Sequence, residues 1–265
     1  MINIVVFIKQ VLDPEAPSSA YQVDSEGKRI IQKGVPPVIS PFDENAIEAA
    51  LRLKDAHQTK ITVLSMGRNL SKVVLRKSLA AGCDELILLE DDVFDNLDSY
   101  ATASILTAAI RKIGEYDIIL AGRQAADWNA GVVGPGIAES LGIPSVTTVR
   151  KVELIDGKVR AERVLSDGYE VIEAPLPVLI TVSNELGELR PTALQEIMAA
   201  QKKPLTIWNA DDIGIEPSRM TQMRRTKLLK LFIPQKEARC EMVEGETEEE
   251  LGVNLALKLK EEQNI

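Results

Sequence analysis

Histidine and cysteine are scarce in this 265-residue chain, which has one histidine, His57, and two cysteines, Cys83 and Cys240. A zinc site with two histidine ligands is therefore impossible within the chain, and so is a cysteine-rich iron–sulfur site. Any catalytic triad would have to use His57. We expect no catalytic residues and no metal ligands, and we expect the chain to bind a cofactor or a partner protein instead.

Aromatic residues make up only 4% of the chain, and 40 acidic against 31 basic side chains give a formal net charge of −9. Both features argue against nucleic acid and membranes as partners, because such binding depends on Lys, Arg and stacking rings. No apolar run approaches the ~18 residues of a membrane span, and residues 1–10 do not resemble a signal peptide. Two cysteines without a CxxC spacing are typical of reduced thiols, so we expect a cytoplasmic protein.

Segments with the apolar pattern of a strand alternate along the chain with segments that have the pattern of a helix, which predicts an α/β fold. Residues 2–8 form a β-branched run typical of a buried strand, and residues 42–56 form a helix for which Ser40 is the expected cap and Pro41 the first residue. Further strands are predicted at 60–66, 85–89, 117–121 and 145–149, and further helices at 70–81, 97–113 and 131–141. This order indicates a mostly parallel, doubly wound, Rossmann-like sheet of the kind that binds adenine nucleotides.

After residue 149 the pattern changes to that of a β-hairpin extension, with the turn sequence Asp156-Gly157 at its centre. Strands are predicted at 151–155, 158–165, 168–173 and 178–182, a second hairpin at 21–32, and a short helix at 194–200.

The apolar pattern thins beyond Pro204. Residues 209–227 are predicted to be an extended arm, and residues 246–262 an amphipathic helix with Leu251, Leu255 and Leu259 on one side. This arm and helix either wrap another chain or pack on their own domain. We assign residues 1–190 to a nucleotide-binding domain and residues 191–265 to a partner-binding segment with a C-terminal arm and helix.

Ligands of parallel sheets bind beyond the carboxyl ends of the strands. Neither a GxGxxG nor a P-loop motif is present, but the loop 122–131 follows a buried strand and precedes a helix. Gly122 would let the backbone approach a ligand, and the amides of 129–133 could bind a phosphate. Residues 40–43 and 65–67 are expected at the same edge. The pattern indicates a nucleotide-like ligand; the alternative is tight turns without a ligand, and Trp128 either stacks on a ligand ring or closes the loop.

Other polar groups have simpler interpretations. His57 follows the helix 42–56 and is expected to be a solvated cation at its C-terminus. The acids at 90–92 could bind a metal, but we expect them to cap the helix that follows. Cys83 is expected to be a small buried side chain, and Cys240 lies in a polar tail.

Several strings of the sequence, taken in order, resemble the β subunit of electron transfer flavoproteins over nearly the whole chain. They are Lys9-Gln10, Ser40-Pro41-Phe42-Asp43-Glu44, 50–54, 63–67, 80–84, Gly122-Arg123-Gln124-Ala125-Ala126-Asp127, Arg190, Leu194 and 197–203. The string that begins at Gly122 is the most diagnostic. One such string is a weak signal, whereas the ordered set is a strong one.

The resemblance implies a heterodimer with an α subunit that carries an exchangeable, electron-shuttling FAD. It also implies that the β subunit binds AMP in ordinary members and a second FAD in electron-bifurcating members. The implied nucleotide site consists of Phe7, Lys9, Ser40, Pro41, Phe42, Asp43, Met66, Gly122, Arg123, Gln124, Asp127, Trp128, Asn129, Ala130, Gly131, Val132 and Val133. The implied partner-binding residues are Arg190, Leu194, Met198, Lys202 and Lys203, with Leu194 as the anchor that inserts into a dehydrogenase.

The chain departs from the family pattern at three places. Trp128-Asn129-Ala130 replaces a polar run, Ser40 replaces Asn, and Leu189 replaces Pro. The loop nearest the phosphates therefore loses an acid and a hydroxyl and gains an indole, while the amides at the helix start remain. Nucleotide binding is still expected, and these changes bear on which nucleotide it is.

Residues 98–103 and 133–139 resemble the anaerobic, bifurcating and nitrogen-fixation-associated branch of the family. This implies that FAD in the β subunit exchanges hydride with NAD(H). One electron would pass to a low-potential ferredoxin or flavodoxin, and the other through the α-subunit FAD to an acyl-CoA or a 2-hydroxyacid (lactate) dehydrogenase. The alternatives are a non-bifurcating β subunit with structural AMP and, more remotely, a nucleotide-binding regulatory module without a redox role.

Overall fold

A large parallel sheet organises the fold. The structure, a computed structural model, describes residues 1–216, 218, 223–234 and 240–262. The chain divides into two compact units, Met1–Lys230 and Leu231–Ile265. The strands are β1 Ile2–Phe7, β2 Gln10–Val11, β3 Tyr21–Val23, β4 Ile30–Gln32, β5 Val38–Ile39, β6 Thr59–Gly67, β7 Glu85–Glu90, β8 Ile118–Gly122, β9 Ser145–Ile155, β10 Lys158–Leu165, β11 Gly168–Pro175, β12 Val178–Val182 and β13 Leu205–Trp208. The helices are α1 Pro41–Ala56, α2 Lys72–Leu75, α3 Lys77–Ala81, α4 Ser99–Ile113, α5 Val133–Leu141, α6 Leu194–Ala200 and α7 Glu248–Glu261.

Nine of the described strands form one sheet in the order β11-β10-β9-β12-β8-β1-β6-β7-β13. Every adjacent pair in it is parallel except the two that involve β10. β1 lies between β6 and β8, with Val5 opposite Thr62 on one side and Ile119 on the other. The mostly parallel α/β fold predicted from the sequence is therefore confirmed.

Helices cover both faces of the sheet because the side chains of a strand alternate between the two faces. On one face, α1 and α3 bury Ala46 and Leu79 in a cluster with Val6 of β1. On the other face, α4 and α5 bury Ile105 and Ile137 in a cluster with Val5 and Phe7 of the same strand. The sheet is thus doubly wound, as the alternating strands and helices predicted.

The hairpin extension also forms as predicted. β9 runs unbroken through the two predicted strands, so its first part pairs in parallel with β12 and its second part antiparallel with β10. Asp156 and Gly157 have φ values of 51° and 74°, and a two-residue hairpin turn requires this pair of left-handed residues. β3 and β4 form the second hairpin at 21–32.

Several helix boundaries differ from the predictions. α2 and α3 are two short helices in place of one at 70–81, and Ser71 caps α2. α4 starts two residues later than predicted because the Asp98 carboxylate accepts the N–H of Ala101 at 2.9 Å and caps the helix there. α5 starts at residue 133 because Gly131 has a φ of 67°, outside the helical range.

The predicted arm at 209–227 is wrong in its first part. Immediately before it, β13 pairs with β7 at the edge of the sheet, and Ala210 and Ile213 are only 1% and 8% exposed. A four-residue strand and a single turn are too short for periodicity to reveal. Farther along, Asp98 accepts the N–H groups of Arg225 and Thr226 at 2.5 and 2.8 Å.

The second unit contains α7, which agrees with the helix predicted at 246–262 to within two residues. Thr247 caps it by accepting the N–H of Glu250 at 3.2 Å. Three leucines at helical spacing remain 38%, 47% and 37% exposed, namely Leu251, Leu255 and Leu259. Over the described part of both units, no helix is long and apolar enough to cross a membrane.

Candidate nucleotide-binding site

The strand order reverses beside β1. From β1 the chain builds β6 and β7 on one side, and it then crosses over to add β8 on the other side. At such a point the loops after neighbouring strands diverge and leave a crevice, where open α/β sheets bind their ligands. The loop after β1, the start of α1 and the loop between β8 and α5 meet here through the contacts described below.

The carboxylate of Asp43, in the first turn of α1, connects the ends of β1 and β8. Its Oδ2 accepts the N–H of Lys9 at 2.7 Å, and its Oδ1 accepts the N–H of Gly122 at 3.2 Å. A Cβ atom at Gly122 would lie 2.5 Å from Asp43 Oδ1 and 2.6 Å from the carbonyl carbon of Phe42. The glycine therefore allows the start of α1 to approach the end of β8 closely.

Asp43 is a costly residue at this place, since its side chain is buried in the fold. Burial raises the pKa of its carboxyl from 3.8 to about 7, although the two backbone hydrogen bonds and the charge of Lys9 lower it. The nearby carboxylate of Asp127 raises it further. Carboxyl groups with such raised pKa values are concentrated at functional sites.

Three more contacts connect the loop after β8, the start of α1 and the loop after β1. Contrary to the prediction, the side chain of Ser40 does not cap α1, and its Oγ accepts the N–H of Ala126 at 3.3 Å instead. The N–H of Ser40 donates to the carbonyl of Lys9 at 2.9 Å. The ammonium of Lys9 in turn lies 2.6 Å from the carboxylate of Asp127. Three loops that are distant in sequence are thus held together around one helix start.

Arg123 lies over the ring of Phe42, with its Cζ atom 4.7 Å from the ring centroid. Its Nε atom is buried, and in the described part of the chain it has no hydrogen-bond partner. Buried donors in folded proteins are paired in the great majority of cases. The unpaired Nε therefore fits a site in which a ligand supplies the acceptor.

The loop between β8 and α5 exposes both backbone and ring surface. Asn129 and Gly131 have left-handed φ values of 51° and 67°, and the Gln124 amide donates to Asn129 Oδ1 at 2.9 Å. Among the described residues, no side chain caps the start of α5, so the N–H groups of its first turn are available to an anion. Trp128 and Val132 are 59% and 54% exposed. Unpaired donors beside an exposed indole fit the phosphates and the ring of a nucleotide.

The other predicted site residues occupy different layers of the crevice. Phe7 is buried in the core at the end of β1, and Met66 is partly buried against the same cluster. Pro41 is exposed at the first position of α1, as predicted, and Ala130 is exposed in the loop after β8.

Among the predicted partner-binding residues, Arg190 and Lys203 bind groups of this chain. Arg190 pairs with Glu48 of α1, its Nε lying 3.0 Å from Glu48 Oε2. Lys203 donates to the carbonyls of Leu79 and Cys83 at 2.8 and 2.6 Å. The sequence analysis missed Glu48, although an acid among the alanines on the buried face of the predicted helix was a signal that it needed a cation.

The other residues predicted to bind a partner are exposed. Leu194 and Met198 on α6 are 72% and 66% exposed, and Ile197 beside them is 45% exposed. Lys202 is also exposed, just after this helix. Exposed apolar side chains concentrated on one short helix are typical of a protein-binding surface.

The other polar groups have structural roles. The N–H of His57 donates to the Leu53 carbonyl at the end of α1, where a cation was predicted. The Asp91 carboxylate caps the short turn Asp92–Phe94. Cys83 is fully buried, which confirms the prediction, and burial raises the pKa of its thiol to about 12. Residues 1–216, 218, 223–234 and 240–262 contain no group of His, Cys, Asp and Glu suited to a metal.

Comparison with known proteins decides the family. The sequence-family model described as the electron transfer flavoprotein domain matches residues 28–213. The chain belongs to the electron transfer flavoprotein family. A β subunit of this family from Thermoanaerobacterium thermosaccharolyticum is 42% identical over 94% of both chains. The caffeyl-CoA reductase-Etf complex subunit CarD of Acetobacterium woodii is 39% identical over 100% of both chains.

A third relative, the protein FixA of Azorhizobium caulinodans, is 39% identical over 81% of this chain and 78% of its own length. These relatives identify the chain as an electron transfer flavoprotein β subunit, as the resemblance in the sequence implied. The role of the chain is therefore in electron transfer.

Proposed function

We propose that this β subunit forms a heterodimer with an α subunit, binds FAD in the crevice beside β1, and takes part in electron bifurcation. The complex would connect NAD(H), a low-potential ferredoxin or flavodoxin, and a flavin dehydrogenase reached through the FAD of the α subunit. The observation that supports this site is the buried Nε of Arg123, which has no hydrogen-bond partner among the described residues. It lies in the loop that leads to the start of α5, which no described side chain caps.

Each part of the crevice has a role in binding. The first N–H groups of α5 and the guanidinium of Arg123 would bind the phosphates. Trp128 and Val132 would cover a ring system, and Asp43 would hold the loops in place. FAD supplies hydride exchange and one-electron transfer when it is bound, so the protein side chains orient it and exclude water rather than act as acids or bases.

The names of the relatives favour a dehydrogenase that acts on CoA esters. CarD is by its name a subunit of a caffeyl-CoA reductase-Etf complex, and it aligns with the whole of this chain. We therefore propose a dehydrogenase of the acyl-CoA type. A 2-hydroxyacid (lactate) dehydrogenase is the second candidate, because residues 185–191 are unusual for the family. Asn45 holds that stretch to α1 by donating to the Gly187 carbonyl at 2.6 Å.

The decisive experiment is to co-express the chain with its α subunit, purify the complex and measure its nucleotides after denaturation. Two FAD molecules per heterodimer are expected. One FAD together with one AMP would contradict the bifurcating function and would instead assign structural AMP to the crevice. A complex without an absorption band near about 450 nm, typical of flavins, would leave only the regulatory module.

We also propose that the segment 191–265 binds partner proteins and that the α subunit covers α7. We expect the complex to be cytoplasmic. The exposed Leu251, Leu255 and Leu259 support this, because they form one apolar side of the helix. Replacing all three by serine should reduce co-purification of the α subunit. Replacing the exposed Glu249 and Lys260 by serine is the matched control and should leave it unchanged; equal recovery in both variants would contradict the role of α7.

A further inference from the structure

We propose that Asp43 is the positioning residue of the nucleotide site, and that its single carboxylate sets the spacing of the β1 and β8 ends between which the nucleotide lies. This inference rests on the proposed nucleotide site and adds the residue that shapes it. It applies to FAD and to AMP alike, because both would use the same loops.

The two strands stop pairing just before the crevice. Their last paired residues are Val6 and Leu120, so the N–H groups of Lys9 and Gly122 lie beyond the paired region. Both donate to Asp43, at 2.7 and 3.2 Å. An ionised carboxylate can accept both bonds because each of its oxygens carries lone pairs. An amide in its place would turn a donor NH2 group toward one of these two N–H groups.

At the opposite end of the same strands, a carboxylate connects β8 to β1 through only one of its oxygens. One carboxylate oxygen of Asp117, just before β8, accepts the N–H of Asn3 at 2.8 Å, and the backbone N–H of Asp117 donates to the Asn3 carbonyl at 2.8 Å. These bonds lie at the amino ends of the two strands, at the edge of the sheet opposite the crevice. Asp117 is partly exposed, whereas Asp43 is buried. The costly, two-oxygen bridge is therefore at the end where the ligand is expected.

The bridge is also sensitive to proton concentration near neutrality. Two charged groups act on Asp43, namely Lys9 at the end of β1 and Asp127 in the loop after β8. They pair with each other at 2.6 Å, and burial keeps the pKa of Asp43 at about 7. Protonation converts one acceptor oxygen into a donor, so the N–H group that it held loses its partner.

The test uses the heterodimer obtained by co-expressing this chain with its α subunit. The chain is wild type or carries Asp43→Asn or Asp117→Asn. Release of each nucleotide during dialysis is followed by chromatography of the denatured protein. Asp43→Asn should release the β-subunit nucleotide about tenfold faster and keep the α-subunit FAD, since one lost charged hydrogen bond has about that effect. Asp117→Asn should behave as wild type. Amide hydrogen exchange should rise at residues 9 and 122 only in Asp43→Asn.

A second measurement varies the pH. Release from the wild type should become faster as the pH falls through about 7, the pKa of Asp43, and this step should be missing in Asp43→Asn. Equal retention in the two variants, equal loss in both, or a wild type without the step near neutral pH overturns the inference. A wild type that holds no nucleotide in its β subunit contradicts the proposed function instead.

Discussion

The guanidinium of Arg190 binds the buried carboxylate of Glu48 through two hydrogen bonds, from Nε to Oε2 at 3.0 Å and from Nη2 to Oε1 at 3.1 Å. Burial alone would raise the pKa of Glu48, but hydrogen bonds from Arg190 and Arg52 hold it below its ordinary value. Arg190 also reaches Asp55 at 2.8 Å. The segment before α6, which presents the exposed Leu194, is thereby fixed to α1.

Arg190→Ala should destabilise the heterodimer by about 2 kcal/mol, because the buried Glu48 then loses the guanidinium and keeps its pair with Arg52 and the backbone N–H of residue 190. The thermal midpoint should fall by about 5 °C, the shift expected for a domain of this size. Arg111→Ala removes an exposed arginine that donates to the Ser140 carbonyl, and it should leave the midpoint nearly unchanged. Equal midpoints for both variants would contradict a structural role for Arg190.

Leu194→Ala should weaken binding of the dehydrogenase partner about tenfold, because an exposed apolar anchor loses most of its contact area. It should leave flavin content and thermal stability unchanged, since the side chain is 72% exposed. The measurement is calorimetric titration of the purified heterodimer with the dehydrogenase. Leu165→Ala, at the exposed end of β10, is the matched control. Unaltered affinity in Leu194→Ala would reject the anchor role.

Gly122→Ala should destabilise the protein by about 2 kcal/mol, because its methyl group would meet the carboxylate of Asp43 and the backbone of Phe42. It should also lower the content of the β-subunit nucleotide. In contrast, Gly252→Ala places a methyl group on α7 with nothing within 4 Å, and should be neutral or slightly stabilising. Thermal unfolding and nucleotide analysis compare the two variants; an intact site in Gly122→Ala would show that the contact can relax.

The buried carboxyl of Asp43 should make stability depend on pH in an unusual direction. Its raised pKa means that between pH 3.8 and about 7 the folded chain binds more protons there than the unfolded chain. The free energy of unfolding therefore falls as pH rises through this range, by at most about 4 kcal/mol. Asp43→Asn lacks this contribution. The thermal midpoint of Asp43→Asn should therefore rise relative to that of the wild type as the pH increases from 5 to 8. A constant difference would contradict the raised pKa.

Cys83 should resist alkylation in the native complex at pH 8, because its thiol is buried and its pKa is raised to about 12. Mass spectrometry of peptides after treatment with iodoacetamide checks this. Denaturation before treatment should make Cys83 fully reactive, which provides the internal control. Rapid native labelling of Cys83 would show that α3 opens from the sheet.

Local features of the sequence determined most of the elements of this protein. Continuous apolar runs predicted the strands around β1, and apolar residues at helical spacing predicted the helices. Pro41 marked the start of α1, and Asp156-Gly157 specified the hairpin turn. These signals act between residues that are close along the chain, so periodicity and turn chemistry reveal them. The ordered strings of the family added the loops in which the site residues lie.

Tertiary structure decided how these loops are joined. The Asp43 carboxylate meets the Gly122 amide across 79 positions, and Glu48 meets Arg190 across 142. Ser40 leaves its own helix to accept the N–H of Ala126, 86 positions away. A buried polar group takes whichever partner the packing of the sheet and helices brings near it. The sequence alone therefore predicted the side chains of the proposed site, while the crossing of the chain beside β1 determined their partners within the fold.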